Sequence, residues 1–319
     1  MTVHNVVSVS GGKDSTAMLA VAVAQEAPSL QAVFADTGHE HPLTYEYVDY
    51  LSNWLTSRGL PAIRRVRADF TADMARRREY LLGVAAGEYA DKFGRRRHTR
   101  ESAAQAAELM QPTGNPFLDL CILKGRFPST RVRFCSEELK RNVIAEQVFL
   151  PMMDGNSLIL SWQGVRHDES AARAGLPECD EVGGGLFNYR PIRRWTVADV
   201  FEAHRYMGLR PNPLYQMGMG RVGCMPCIHS RKDEIREIAN RFPAEIERVA
   251  KWEQEVAAVS KCRAATFFPT ADDHGTGIHA VVQWSRTSNG KSNFDLFRQR
   301  ELADNKCSSI YGLCDTGEA

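Results

Sequence analysis

Ser8-Val9-Ser10-Gly11-Gly12-Lys13-Asp14-Ser15 stands between two patterned stretches. Before it lies a β-branched run, Val6, Val7 and Val9. After it, apolar residues recur at helical spacing through Ala17, Met18, Leu19, Val21, Ala22 and Ala24. A strand, a glycine turn and a helix in that order decide how the rest is read. Two glycines let the backbone turn sharply and approach a ligand closely. The helix start offers bare N–H groups and the positive end of its dipole to a phosphate. Ser10 and Ser15 add hydroxyl donors, and Lys13 adds a point charge. The loop is not a Walker A motif, which needs Gly five positions before its Gly-Lys pair and Ser or Thr directly after. Val7 and Asp14 occupy those places, and no G-x-G-x-x-G is present.

Working outward, residues 30–35 read as a second buried strand that stops at Asp36-Thr37-Gly38. Thr44 to Arg58 reads as an amphipathic helix with Tyr47, Val48, Leu51, Trp54 and Leu55 on one face, and residues 63–66 as a third strand. Strands alternating with helices predict an α/β fold, a mostly parallel Rossmann-like sheet covered on both faces. Ligands of such sheets bind beyond the carboxyl ends of the strands. Residues 70–115 break the alternation as a helical, basic insertion. From 64 to 100 there are eleven Lys/Arg against five Asp/Glu. That excess reads either as a solvated helical face or as a docking patch, over 76–100, for an anionic substrate such as nucleic acid. Helical spacing returns over 136–148, 168–174 and 197–207, with a strand at 157–162. One or two helices cover 229–260, interrupted near Pro243. Two regions are expected: a nucleotide-binding unit over 1–215 and a helical, cysteine-bearing region over 216–319.

Over 319 residues, 43% are hydrophobic and 25% charged, which excludes disorder, collagen and coiled coil as global descriptions. A net charge of +1 excludes a general polycation. Eight cysteines are too sparse for a secreted disulfide scaffold. No apolar run is long enough to span a bilayer, and no leader pattern opens the chain. The expectation is a cytoplasmic protein with reduced thiols and no membrane contact.

Two cysteine pairs stand out. Gly223-Cys224-Met225-Pro226-Cys227 has metal-ligand spacing, and Cys307 and Cys314 lie in a turn-rich tail. Four thiolates suffice for zinc or for a [4Fe–4S] cluster, and sequence does not separate the two. Cys135 is the rival ligand. Cys121, Cys179 and Cys262 read as small hydrophobes.

Ser10-Gly11-Gly12-Lys13-Asp14-Ser15 resembles the PP-loop of the ATP pyrophosphatase superfamily. Phe34-Ala35-Asp36-Thr37-Gly38-His39-Glu40 with Thr44-Tyr45 resembles the second-strand signature of the phosphoadenosine phosphosulfate (PAPS) reductase family. Further matches follow in family order: Arg133-Phe134-Cys135-Ser136 with Leu139-Lys140, Gly164-Val165-Arg166 with Glu169-Ser170 and Arg173, Pro191-Ile192 with Trp195, and Asn212-Pro213-Leu214-Tyr215. Gly-Cys-x-x-Cys followed by Arg231-Lys232-Asp233 is similar to the cluster-bearing relatives in DNA phosphorothioation, a branch that also suits a phage-type protein. The resemblance implies an adenine nucleotide alpha-hydrolase-like fold. It implies an ATP, PAPS or APS site made by Ser10, Gly11, Gly12, Lys13, Asp14, Ser15, Asp36, Thr37, Gly38 and Arg166. Lys13, Asp36, Lys140 and Arg166 would carry the chemistry. Lys140 and Arg166 would reach anionic oxygens, and Asp36 would orient a ribose hydroxyl or hold Mg²⁺. His39 would act as a base or as a cap. The fold often forms homodimers by the same resemblance.

The terminal Glu-Cys-Gly-(Leu/Ile)-His motif of PAPS reductases is not in this chain. The first reading is therefore adenylylation of a substrate with release of pyrophosphate, coupled through a four-cysteine iron–sulfur site to sulfur transfer or to modification of a nucleic acid or metabolite. It implies a sulfur or electron donor as partner. The second is a thiol-dependent PAPS or APS reductase. The third is a non-catalytic nucleotide-sensing or DNA-associated module with structural zinc.

Overall fold

In this computed structural model, residues 2–92, 97–153, 155–269 and 275–287 are described. Val6 and Val7 point to opposite faces of the first strand, β1 (Thr2–Ser8), and both are fully buried. A strand covered on both faces belongs in the middle of a parallel sheet. β1 pairs in parallel with β2 (Leu30–Asp36) on one side and with β4 (Ser157–Trp162) on the other. β3 (Arg64–Arg67) lies beyond β2, and only Val66 of its four residues is buried. The whole order is β3-β2-β1-β4-β6-β5. β6 (Leu186–Tyr189) runs parallel to β4, and β5 (Cys179–Gly183) is the antiparallel member, joined to β6 through Gly184 and Gly185.

The chain steps from β1 to β2 and β3 in one direction, then returns to place β4 on the far side of β1. The crevice at such a reversal is where open α/β sheets bind ligands. Here it lies beyond Ser8 of β1 and Trp162 of β4.

Two helices cover one sheet face. α1 (Lys13–Ala24) and α2 (Pro42–Thr56) bury Met18, Leu19, Val48 and Leu51 against Val7, Phe34 and Trp162. On the other face a helical run starts at Phe134–Ser136, passes through π-helical turns at Glu137–Arg141 and Ala145–Phe149, and ends at Leu150–Met152. It packs Val143 and Val148 onto Val6, Val33 and Ile159.

A second core is wholly helical. α3 (Thr71–Ala86), α4 (Arg100–Leu109) and α5 (Pro116–Lys124) come from the insertion. They bury Met74, Leu81 and Leu120 with Ile235, Val249, Trp252 and Ile278 from the helices Lys232–Arg241, Pro243–Val259 and Ile278–Ser285. Segments more than a hundred residues apart in sequence thus form one apolar interior.

The expected alternation is present, with local differences. The third strand is shifted by one residue, to Arg64–Arg67. The expected 168–174 helix is a 3₁₀ turn at His167–Glu169 and one α-turn at Ala171–Ala174, because Ser170 between them is extended and caps the second. The β5–β6 hairpin was not anticipated: its residues are at most half-buried, so no strong apolar alternation marks them. Among the described residues no helix is long and apolar enough to cross a membrane.

Candidate functional site

The loop after β1 is held from behind. Gly11 takes a left-handed φ of +72°, and a Cβ there would meet Thr44 Cγ2 at 3.0 Å, so only glycine suits the position. Ser15 folds its hydroxyl back into the loop, donating to Gly12 O at 3.0 Å and accepting from Ser10 N–H at 3.1 Å. Asn212 Nδ2 donates to Gly11 O at 3.1 Å, and Tyr215 Oη accepts from Lys13 N–H at 2.8 Å. His204 Nε2 donates to Lys13 O at 2.8 Å. Gly164, just past β4, lies against the Asp14–Ser15 peptide, where a Cβ would sit 3.1–3.2 Å from backbone atoms. Gly12 at the N-cap offers no side chain, and Tyr215 takes only the Lys13 N–H. The first turn of a helix leaves its N–H groups without intrahelical partners, so this end is suited to an anion.

Lys13 and Asp14 are an ion pair at 3.1 Å. Arg166, 3% exposed, holds Asp14 through Nε at 2.5 Å and Asp168 through Nη1 at 2.6 Å. The guanidinium expected to reach a ligand therefore also fixes the loop's own carboxylate.

At the end of β2 the side chains serve one another. Asp36 Oδ1 accepts from Tyr45 Oη at 2.7 Å and from Gly38 N–H at 2.9 Å. Its other oxygen is 3.8 Å from Arg67. Thr37 is 1% exposed, with its hydroxyl 2.8 Å from both oxygens of Glu40. Thr37 O accepts from Phe117 N–H, and Gly38 O accepts from Asn115 Nδ2 at 2.6 Å, which joins α5 to this turn. Asp36, Thr37 and Gly38 thus hold Glu40 and the insertion in place.

His39 is the hinge pin of the cysteine turn. Its Nε2 donates to Pro226 O at 2.8 Å, and its Nδ1 accepts from Arg248 at 3.4 Å. The ring stacks on Phe117 at 4.4 Å and touches Trp252 and Phe267. Burial first, then Arg248, holds its pKa well below 6.5, so the ring is neutral. Met225 N–H donates to His39 O, and Glu40 bridges to Cys224. Both ring nitrogens are occupied; the N-cap of α2 is His41, whose Nδ1 accepts from Leu43 N–H, and His39 fastens the cysteine turn.

Cys224, Cys227 and Cys135 surround Lys140 electrostatically, with Glu40 beside them. Cys224 S–H donates to Glu40 Oε1 at 3.8 Å. Burial pushes the Cys224 thiol up to about 12 and raises Cys135 as well. The Lys140 ammonium is held charged, its pKa pushed up to about 12 by Cys224 and then Glu40, Cys227 and Cys135, against burial. With Cys224 protonated at neutral pH, Glu40 is the working anion. Among the described residues, no three His, Cys, Asp or Glu stand together at metal-ligand spacing. Cys307 and Cys314 lie outside the described residues, as do Arg95 and Arg96 of the basic segment.

Two clefts meet at the loop. One, of about 620 Å³, is walled by Val33, Phe34, Ala35, Ile144 and Phe149, with Glu40 and Lys140 at its edge. The other, of about 790 Å³, carries six cationic side chains, Lys13, Arg133, Arg166, Arg173, Arg221 and Arg231, against three carboxylates, Asp14, Asp168 and Glu169. Ser8 and Ser10 line both. All three carboxylates are paired, with Lys13, Arg166 or Arg173. Arg133, Arg221 and Arg231 form no ion pair among the described residues. Their clustering was missed in sequence, because the three lie in separate stretches that only the fold brings to one mouth.

Residues 4–230 match the model of the phosphoadenosine phosphosulfate reductase domain. The chain is 45% identical, over 98% of its length and 96% of the relative's, to the 37.8 kDa protein in the gpa 5′ region of Escherichia phage 186. It is 28% identical to the adenosine 5'-phosphosulfate reductase of Burkholderia cepacia, over 40% of this chain and 48% of that one. So it spans about half of that reductase's length. A crystal structure of phosphoadenylyl-sulfate (PAPS) reductase from Candida auris, a phosphate complex, superposes with a TM-score of 0.40 at 16% identity, covering 71% of this chain and 83% of that one.

Tyr215→Phe keeps the buried ring and removes the acceptor of the Lys13 N–H. Chemical denaturation is expected to show a loss of about 1–3 kcal/mol, the cost of an unmet buried donor. A loss below about 0.5 kcal/mol would show that the loop is not held there. His39→Phe keeps the stacking on Phe117 and orphans Pro226 O. In the wild type the unfolded chain takes up a proton at His39 that the folded chain refuses. Stability present above pH 6.5 is therefore lost progressively as pH falls below it. The variant should lose that contribution, making the stability slope between about pH 5 and 6.5 shallower by up to about 1.4 kcal/mol per pH unit. Parallel slopes would remove His39 from the titration.

Proposed function

Taking as premise that the chain belongs to the phosphoadenosine phosphosulfate reductase domain family, we propose that it is an enzyme that binds an adenine nucleotide across the two joined clefts and transfers its adenylyl group. The observation that carries this reading is the meeting of an apolar cleft and a cationic cleft at Ser8 and Ser10. Base and ribose occupy the apolar side, the α-phosphate lies over the Ser10–Ser15 loop, and the outer phosphates face Arg133, Arg221 and Arg231. An acceptor oxygen attacks the α-phosphorus, the bond to the bridging oxygen breaks, and pyrophosphate leaves with the bonding pair. The acceptor's proton goes to solvent. Lys13, the loop N–H groups and the outer arginines stabilise the charge that builds on the leaving oxygens. Lys140, beside the apolar cleft, would reach an anionic oxygen; Arg166 acts on the loop through Asp14, and Asp36, bonded to Tyr45 and Gly38, would orient a ribose hydroxyl.

Among the described residues the three carboxylates of the cationic cleft are all engaged by cations, so a Mg²⁺ ion brought by the nucleotide would rest on phosphate oxygens. The thiol site fits a cluster better. Cys224 and Cys227 would hold it, with Cys307 and Cys314 or with Cys135, and Lys140 supplies a counter-charge to a thiolate-ligated ion. A [4Fe–4S] cluster bound there supplies electrons or sulfur. Under this reading a hydrosulfide-class donor displaces AMP from the activated acceptor, a nucleic acid or small metabolite, in the cytoplasm. A homodimer is part of the same reading.

A second reading, a thiol-dependent sulfonucleotide reductase, is favoured by the relatives that are adenosine 5'-phosphosulfate reductases. It calls for a nucleophilic thiolate, and the terminal Glu-Cys-Gly-(Leu/Ile)-His motif of PAPS reductases is not in this chain.

Anaerobically purified protein is to be assayed with ATP, APS and PAPS, alongside its iron, sulfide and zinc content. The expected outcome is pyrophosphate from ATP, reduced at least about 100-fold in Lys13→Ala, and about four iron per chain lost in Cys224→Ser. Sulfite from APS or PAPS without turnover of ATP would replace the first reading by the second. One zinc per chain would make the cysteine site structural.

A further inference from the structure

A separate cavity of about 530 Å³ lies between the insertion and the turn that follows the Pro243–Val259 helix, and it shares no lining residue with the nucleotide clefts. Arg77 enters from α3, His98 from the turn before α4, Lys124 and Arg126 from the end of α5, and Lys261 from the turn after Val259. Among the described residues no carboxylate lines it. Leu81, Met110 and Val259 form an apolar floor.

The cations are set in place from behind. Asp91, with a fully buried side chain, holds Lys261 at 2.7 Å and accepts from Tyr80 Oη and from His98 N–H. Glu138 holds Lys124 at 2.8 Å. Arg77 lies over Tyr80 at 5.0 Å and Arg126 over Phe134 at 5.8 Å. Exposed Arg78, Arg100 and Arg263 belong to the same three segments. Burial keeps His98 below its ordinary range, with Asp91 opposing and Lys261, Arg77 and Arg263 adding to it. The whole chain carries only +1, so this collection is local.

We propose that this cavity docks a single-stranded nucleic acid, its phosphates on Arg77, Lys124, Arg126 and Lys261 and one unpaired base on the apolar floor. Spread cations suit a strand of several phosphates better than one compact anion, and the aliphatic lining offers a base apolar contact without a stacking ring. The volume is that of one nucleotide-sized group. The inference rests on the nucleic-acid half of the acceptor reading above. It locates the docking of the basic segment in a cavity completed by residues far outside that segment.

The test is fluorescence anisotropy of the full chain with a fluorescein-labelled single-stranded DNA of about 20 nucleotides. Expected are binding that weakens with salt with a log–log slope of about −3, for roughly four phosphate contacts on a single strand, and at least tenfold weaker binding for Arg77→Gln with Arg126→Gln. The slope should become shallower by about 1.4 in that double variant. Arg126→Glu alone, at an exposed position, should weaken binding further than Arg126→Gln with an unchanged melting temperature. Lys13→Ala is expected to bind the strand as the wild type does, so a failed nucleotide reading and a failed docking site give different results. No binding by the wild type at about 50 mM salt, equal binding by the double variant, loss of binding in Lys13→Ala, or displacement by AMP as effective as by unlabelled strand would each overturn the proposal.

Discussion

A loop that is to hold phosphate must leave some of its amides open. Ser15 satisfies only Ser10 N–H from within, so the Ser10–Ser15 segment is fixed mostly by groups that reach it from elsewhere. Asn212 takes the Gly11 carbonyl, Tyr215 the Lys13 N–H, His204 the Lys13 carbonyl, and Gly164 presses against the Asp14–Ser15 peptide. The order of the sheet follows the same requirement. β4 must lie beside β1 for Gly164 to arrive, and the chain must return past Val197–Tyr206 for Asn212 and Tyr215 to arrive.

Local pattern carried much of this. The strand–loop–helix start, the parallel sheet and the helical insertion were legible because apolar periodicity and glycine placement act over a few residues. Asn212-Pro213-Leu214-Tyr215 was legible as a motif but not as a clamp, since its partners lie about two hundred residues away. Asp36, Thr37 and Gly38 read from sequence as ligand contacts, and the fold adds bonds to Tyr45, Glu40 and Asn115. That structural duty depends on burial, which sequence does not display at a polar Thr. The β5–β6 hairpin and the π-helical turns gave no signal, because the first is half-exposed and the second shares α-helical composition.

The cysteine turn joins the nucleotide side of the molecule to its helical core. Its backbone is fastened to His39 and Glu40, next to the end of β2, while the His39 ring is packed among Phe117, Trp252 and Phe267. A thiol site on this turn is thereby coupled in position to the nucleotide side, through Glu40, and to the helical core, through the ring. Lys140 stands at the same junction, lining the apolar cleft beside the thiols and Glu40.

The helical core has a consequence for how such chains diverge. Because α3, α4 and α5 share one apolar interior with helices beyond residue 232, neither stretch can be exchanged alone without leaving an uncovered face on the other. Recombination between relatives, natural or in the laboratory, would succeed only when both stretches travel together. The sheet and its loop form the part of the molecule that can stay behind.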